Sequence, residues 1–394
     1  MSAVAAALAI RWHAATSGVA AELWDTVFPL PWEGRFWFDA IQAGTAPGQF
    51  TCLYGELLRG ADPIGIVPAF VFDVPLRLVI PPALARIVLP FARGPLRGLR
   101  SQRTFFIGNI AGEEGHVGLL PGESLQALAA FIHAEARAKA RSLRAPMLVW
   151  KDFPAEDRTA LDGLVEARTA FRIPSFPGTR IALLPGGYDA FLARQRSDRR
   201  HRIRSKLRKG AAFVALHAEV VSQPGHADLA TLFALFEQTR ARATTEFETL
   251  TPAFFREIAA SPLARFLVLR EDGGRIVAFM LLLDLGTRIV NQFIGLDRAL
   301  LEPGRLYFRL HAAACDWAAA TGAPALFSGQ TGYMAKLDMG HELVPLWNYC
   351  EHEGALPGAV FRRVAAGIRW DTLDPQLAEY FRAHPEARAR LDCA

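Results

Sequence analysis

Side chains able to move a proton or hold an anion gather in the last third of the chain. The run Ser328-Gly-Gln-Thr-Gly-Tyr-Met-Ala-Lys336 follows the short apolar segment Pro324-Ala-Leu-Phe327. A strand end is where a rigid scaffold presents chemistry, so Tyr333 is read as a general acid and Lys336 as an anchor for a carboxylate or phosphate. Gln330 and Asn348 are candidate orienting donors. His311 falls one turn into a helical run, where its imidazole can face neighbouring strands. Glu246 lies in the polar loop Arg242 to Thr251. Desolvation there would raise its pKa, which makes it the first candidate for a general base. Asn291 and Gln292 interrupt an apolar strand, and a buried amide needs a partner, so one of the two is expected to face a cleft. Each residue also has a plain structural reading: an exposed loop acid, a satisfied core histidine, a solvated lysine.

These residues need elements to position them. Arg265 to Arg270 and Ile276 to Asp284 are β-rich runs split by Asp272-Gly273-Gly274, which predicts a hairpin. Thr287 to Leu296 reads as a third strand, Pro303-Gly304 breaks the chain, and Leu306 to Ala320 is a helix stopped by Gly322. Pro324 to Phe327 is then a short buried strand. The same order occurs earlier: a strand at Phe50 to Leu58, a turn, its partner at Ile64 to Phe72, a helix at Leu125 to Ala140 and a strand at Met147 to Trp150. Duplication is the simplest cause of such a repeat.

The ordered set Gly295-Leu-Asp297, Pro303-Gly-Arg-Leu-Tyr307, Trp317-Ala318, Gly322, Gly329-Gln330, Tyr333, Lys336, Gly340 and Pro345-Leu-Trp-Asn-Tyr349 resembles the C-terminal half of FemAB-like GNAT N-acyltransferases. The resemblance implies an α+β fold with mixed sheets, built as tandem GNAT-like lobes. It places a first lobe at 1–175, a second at 176–360 and a helical tail at 361–394. It implies acyl transfer to an amine, with acceptor contacts in the loop Arg242 to Thr251 and Tyr307 among the substrate-binding residues. The oxyanion donors in such a fold are backbone N–H groups released where two strands splay. It implies no tightly bound cofactor, with acyl-CoA or acyl carrier protein as co-substrate. One departure stands out: the Q/R-x-x-G-x-G/A loop that holds the CoA pyrophosphate in typical GNAT enzymes is absent before the Leu306 helix.

A chain of 394 residues, 51% of them hydrophobic, suits two cores. Mean hydropathy is +0.16, high for a globular protein. Cys52, Cys315, Cys350 and Cys393 lack metal-ligand spacing and are expected as free thiols in a reducing compartment. No metal is implied. The N-terminal run MSAVAAALAI lacks a basic flank, and no window of about 18 uncharged apolar residues is present, so a cytoplasmic protein without a membrane span is expected. Val71 to Leu99 mixes apolar residues with five prolines and four arginines. The prolines forbid a spanning helix but permit peripheral contact with an anionic membrane.

Between Arg194 and Lys209 nine residues are Lys or Arg and only Asp198 is acidic. We read Tyr188 to Lys209 as a helix with one docked side, and Arg204, Arg208 and Lys209 as candidates for the phosphates of the acyl donor. Three functions follow. The first is transfer of a long-chain acyl group to a lipid-like amine such as a sphingoid base. The second is Fem-type ligation dependent on aminoacyl-tRNA. The third is an inactive lipid- or partner-binding module. DNA recognition is disfavoured by the absence of zinc and helix-turn-helix patterns. Likewise no G-x-S-x-G, H-E-x-x-H, G-x-x-x-x-G-K or dinucleotide fingerprint occurs.

Overall fold

Turn residues and hydrophobic period fix most element boundaries. In this computed structural model, which describes residues 7–75, 101–242 and 247–393, the first half comprises β1 (Leu8–His13), α1 (Ala21–Val27), α2 (Arg35–Gly44), β2 (Thr51–Arg59), β3 (Asp62–Pro75), β4 (Ser101–Ile107), β5 (Gly118–Leu119), α3 (Leu125–Ser142), β6 (Met147–Pro154), α4 (Arg158–Glu166), β7 (Phe171–Pro174) and β8 (Gly178–Ala182). Then come α5 (Gly187–Ala193), α6 (Ser197–Phe213), β9 (His217–Val221), α7 (His226–Arg240), α8 (Pro252–Ala260), β10 (Ala264–Arg270), β11 (Ile276–Asp284), β12 (Ile289–Leu296) and α9 (Leu306–Ala320). The chain closes with β13 (Ala325–Phe327), α10 (Tyr333–Met339), β14 (Glu342–Val344), β15 (Leu346–His352) and helices over Ala355–Ala365, Trp370–Leu373, Pro375–Ala383 and Pro385–Cys393.

Two compact units result. The first contains Met1–Pro29, Ala46–Phe176 and Pro345–Ala394; the second contains Leu30–Thr45 and Pro177–Val344. Contiguous blocks were expected from the resemblance, and the division departs from them at α2 and at β15. In the first unit the strand order is β1-β2-β3-β4-β6-β15-β7, with β5 beside β3; in the second it is β14-β8-β13-β12-β11-β10-β9. With the second order taken from its β9 end, the two correspond position for position, which is the repeat seen in the sequence. Within this correspondence β15 and β8 occupy the same place, each internal to a sheet otherwise built from the other half of the sequence. Each sheet holds one parallel pair, β4 with β6 and β12 with β13, amid antiparallel neighbours.

The second sheet is covered on both faces. On one lie Trp37, Phe254 and Phe293, with Trp37 and Phe254 ring centroids 5.6 Å apart and Phe254 and Phe293 5.4 Å apart. Edge-to-face packing of this kind adds to the area buried. Another core gathers Leu310, Ala314 and Ala318 of α9 with Ile289, Leu326, Tyr188 and Leu192. Small residues on α9 let the helix lie close to the strands.

The basic stretch is two helices, α5 and α6, rather than one. At the break the Arg200 guanidinium donates to the carbonyls of Ala193 at 3.3 Å and Gln195 at 3.1 Å, satisfying groups that a continuous helix would have bonded. Of the apolar stretch 71–99, residues 71–75 complete β3; the remainder lies outside the described residues. No described helix is long and apolar enough to cross a membrane.

Candidate active site

The second sheet opens where β12 and β13 part. Only Ile289 and Val290 of β12 pair with β13, at Leu326 and Phe327. β12 then runs on to Leu296 with no described strand beside it on that side. Its other edge carries a bulge: Leu282 pairs with Asn291 and Leu281 with Phe293, so Gln292 is the extra residue. Bulges of this kind bend a strand and re-aim its side chains beside functional sites. The Gln292 amide donates to the Glu33 carboxylate at 3.2 Å. Asn291, 7% exposed, keeps its Oδ1 buried without a hydrogen-bond partner.

Unpartnered buried polar atoms recur in this unit, two of them on Asn291 and Ser328, which directly follow the last paired residues of β12 and β13. Besides Asn291 Oδ1 they include Ser328 Oγ and Gln330 Nε2 on the segment after β13, Tyr307 Oη on α9 and His341 Nδ1 after α10. A buried polar group left unpaired costs about 1–3 kcal/mol, and such groups accumulate where a ligand completes them. The segment itself is held firmly. Lys336, 7% exposed, donates through Nζ to the carbonyls of Ser328 and Gly329, and the Thr179 hydroxyl donates to the Gly329 carbonyl at 3.1 Å.

His311 is fully buried, with Nε2 2.5 Å from Nε2 of His341 and Nδ1 3.5 Å from the Cys315 thiol. Burial first, and the Lys336 charge second, push His311 down to about 3. The same burial, with His311 and Lys336 nearby, holds His341 well below the usual imidazole range. Burial also raises the Cys315 thiol. Both rings are therefore neutral near pH 7, and of the two facing Nε2 atoms one carries the proton. A thiol can donate to Nδ1 of His311 or accept from it, so the chain Cys315–His311–His341 can run in either direction. At its open end His341 Nδ1 is then a donor or an acceptor.

The predicted site residues distribute as follows. Tyr307, His311, Lys336, Gln330, Asn291 and Gln292 all belong to the second unit, with the Tyr307 and His311 rings 6.2 Å apart. Burial raises the Tyr307 phenol, which stays protonated. Tyr333 is fully buried and its hydroxyl donates to the Pro177 carbonyl at 2.9 Å, a structural attachment. Asn348 lies in the first unit, where its Oδ1 accepts from the Asp152 amide at 2.8 Å. Glu246 lies outside the described residues. Arg204, Arg208 and Lys209 are exposed on α6. His341 escaped the sequence reading because Gly340-His341 looks like an ordinary helix stop; only its contact with His311, 30 residues away, marks it.

The loop before α9 bears on the donor. Arg298 N–H donates to Gln238, Ala299 and Leu300 N–H to Asp297, Gly304 N–H to the Leu300 carbonyl, Arg305 N–H to Glu302 and Leu306 N–H to Leu301. These N–H groups are thus bonded within the protein rather than free for a pyrophosphate. Among the described residues no group of His, Cys, Asp and Glu is placed to hold a metal ion.

Comparison with known proteins bears out the fold. Residues 197–329 match the family model described as an acetyltransferase (GNAT) domain. The chain thus contains a GNAT-type acyltransferase domain. Its tandem architecture is FemAB-like: the crystal structure of FemX superposes with a TM-score of 0.55 at 12% identity, covering 90% of this chain and 100% of that one. The C-terminal domain of a putative lysylphosphatidylglycerol synthetase from Agrobacterium fabrum gives 0.51 at 11%, covering 84% and 95%. A tandem GNAT protein from the clavulanic acid biosynthesis pathway gives 0.50 at 12%, covering 88% and 99%. No curated protein matches the sequence.

Proposed function

We propose that this protein is an N-acyltransferase that moves a long-chain acyl group from a thioester, of CoA or of acyl carrier protein, to the amine of a lipid-like acceptor such as a sphingoid base. The observation that carries amine acylation is the parting of β12 from β13 just before Asn291 and Ser328, in a unit where these two, Gln330, Tyr307 and His341 each have a buried polar atom lacking a partner. Asn291 Oδ1 suits an amine N–H, and Gln330 Nε2 suits the acyl carbonyl oxygen. In the reaction the amine nitrogen bonds to the acyl carbon, the C–S bond breaks, and the thiolate takes up the proton that the amine sheds. The reversible His341–His311 pair supplies a route for that proton, and unpaired N–H groups along β12 meet the oxyanion.

Support for a lipid-like acceptor comes from the 51% hydrophobic composition and the proline-rich apolar stretch 71–99, which suits a position on the inner face of a membrane. The test is incubation with labelled palmitoyl-CoA or palmitoyl carrier protein and sphinganine, with the amide read by mass spectrometry. Acylation of short amines without any sphinganine amide would remove the lipid acceptor.

The fold shared with FemX and the putative lysylphosphatidylglycerol synthetase supports a second reading, in which aminoacyl-tRNA is the donor. Activity lost on ribonuclease treatment would establish it. Persistence of biological function after Lys336 and His341 are both replaced would instead favour a binding module.

A further inference from the structure

The second unit presents an arginine row that the transfer site does not use. Arg196, Arg200, Arg204 and Arg208 recur every four residues along α6 and the residue before it. At 1.5 Å rise per residue the row advances about 6 Å per step and spans about 18 Å. Of the helix's other basic residues, Arg202 and Lys206 both bond Asp338, at 2.5 and 2.7 Å. Burial opposes ionisation of that aspartate, but the two cations hold it below its ordinary range.

The outer row is weakly neutralised. Arg196 meets Asp198 at 3.6 Å and Arg204 meets Asp189 at 3.4 Å, exposed pairs of the kind worth little in water. Among the described residues no acidic side chain pairs with Arg208 or Lys209. Arg200, Arg204 and Arg208 line an open cleft of about 620 Å³ whose other walls are Asp189, Ser197, His201 and Leu207.

Three features select an occupant. Carboxylates four residues apart on a partner helix repeat at the same pitch of about 6 Å, and Leu207 offers an apolar contact between the charges. The walls hold no Trp, Tyr or Phe ring on which successive bases could stack. The row's far end also leads to the chemistry. Gly210 lies against Gly304, where a Cβ would come 2.5 Å from the Gly304 carbonyl oxygen. Arg309 of α9 donates to the Gly210 and Val214 carbonyls at 3.1 and 2.9 Å. The end of α6 is thereby fixed to the start of α9, which carries Tyr307 and His311.

We propose that this cleft docks an acidic helix of an acyl carrier protein, which delivers the thioester to the opening between β12 and β13. The proposal rests on the N-acyltransferase reading and narrows its donor: a carrier-borne arm needs no diphosphate cradle, and the Q/R-x-x-G-x-G/A loop that supplies one in typical GNAT enzymes is absent before α9.

The test measures kcat/KM for palmitoyl carrier protein and palmitoyl-CoA with one amine acceptor, for the wild type and for R196E/R208E. The carrier-borne donor should be preferred by about tenfold or more at low ionic strength, with the preference shrinking as salt rises. The double variant should lose about tenfold more activity on the carrier-borne donor than on palmitoyl-CoA. A carrier whose acidic helix residues are changed to lysine should recover the variant, which a misfolded enzyme would not permit. Equal use of both donors, a parallel loss on both, or no recovery by the altered carrier would overturn the proposal. If neither donor is used, the N-acyltransferase reading fails. Direct binding of unacylated holo carrier protein then decides the docking: weakened binding by R196E/R208E sustains it, and unchanged or absent binding overturns it.

Discussion

The two units place a buried histidine on the same helix of the repeat, yet they treat it differently. In the first, His133 of α3 accepts from the Trp150 indole N–H at 3.0 Å through Nδ1, and its Nε2 lies 2.8 Å from the Glu351 carboxylate. An indole only donates, so the neutral tautomer is fixed: Nε2 carries the hydrogen and gives it to Glu351. Burial, then Arg137, pushes His133 down to about 4, which agrees with a neutral ring despite the acid beside it. In the second unit His311 of α9 meets another histidine and a thiol, either of which can donate or accept, and the chain ends on an open nitrogen. The sheets differ in the same sense. β4 and β6 pair over four residues, Thr104 to Ile107 with Met147 to Trp150. The following loop then returns to β6, with Gly115 N–H donating to the Asp152 carbonyl at 2.8 Å. β12 and β13 pair over two, and the space beyond is left to unpartnered polar atoms. One copy has closed its opening with its own chain; the other leaves it open, as the proposed acyl transfer requires.

Substitutions can break this contrast. The largest effect is expected from Lys336→Met, which removes the cation gripping the Ser328 and Gly329 carbonyls: kcat/KM should fall by about 100-fold or more, since the whole segment after β13 is released. A steady-state assay with the acyl donor reads it. His341→Phe should lower kcat about tenfold to 100-fold and flatten its pH profile. His133→Phe, by contrast, should leave kcat/KM unchanged while costing about 1–3 kcal/mol in urea unfolding, because Trp150 and Glu351 lose their partner. Equal catalytic damage from the two histidine variants would abolish the distinction between the units. Asn291→Ala should raise the KM for the amine about tenfold with little change in stability, as expected for an acceptor that meets only substrate.

The smallest effect concerns pH. His133, His311 and His341 all have folded pKa values depressed by burial, so unfolding takes up protons below about 6.5. Their stabilising contribution is complete above that pH and is lost as pH falls toward the folded values, at up to about 1.4 kcal/mol per unit for each ring. Asp157 works in the opposite sense within the first unit: burial, then Glu114 and Glu156, raises it to about 6, so its share declines as pH climbs from about 4 to 6. Acid unfolding of the second unit should therefore be steeper, and tryptophan fluorescence or hydrogen exchange resolved by unit would show whether it is.

Local chemistry was legible in the sequence where it is local in space. The hairpin around Asp272-Gly273-Gly274, the strand ending at Leu296, and the helix from Leu306 to Ala320 stand where turn residues and period put them. Tyr307, His311, Gln330, Lys336 and Asn291 also proved to share one unit. What escaped depends on contacts distant along the chain. Asn348 reads like a site amide because it follows Lys336, but β15 carries it to Asp152, 196 residues earlier. Tyr333 reads as an acid until Pro177 is found at its hydroxyl. The bulge at Gln292 and the early end of β13 arise from strand register, which composition does not encode locally.

The placement of β8 and β15 governs how this chain can be made. The first unit needs Leu346–His352 between β6 and β7, so its sheet stays incomplete until that strand has left the ribosome, long after β6. Meanwhile the apolar edge of β6 is exposed, a template for aggregation. A stop near residue 340 would therefore disable the N-terminal half as surely as the C-terminal one, and separately expressed halves should need each other in the same cell to remain in solution.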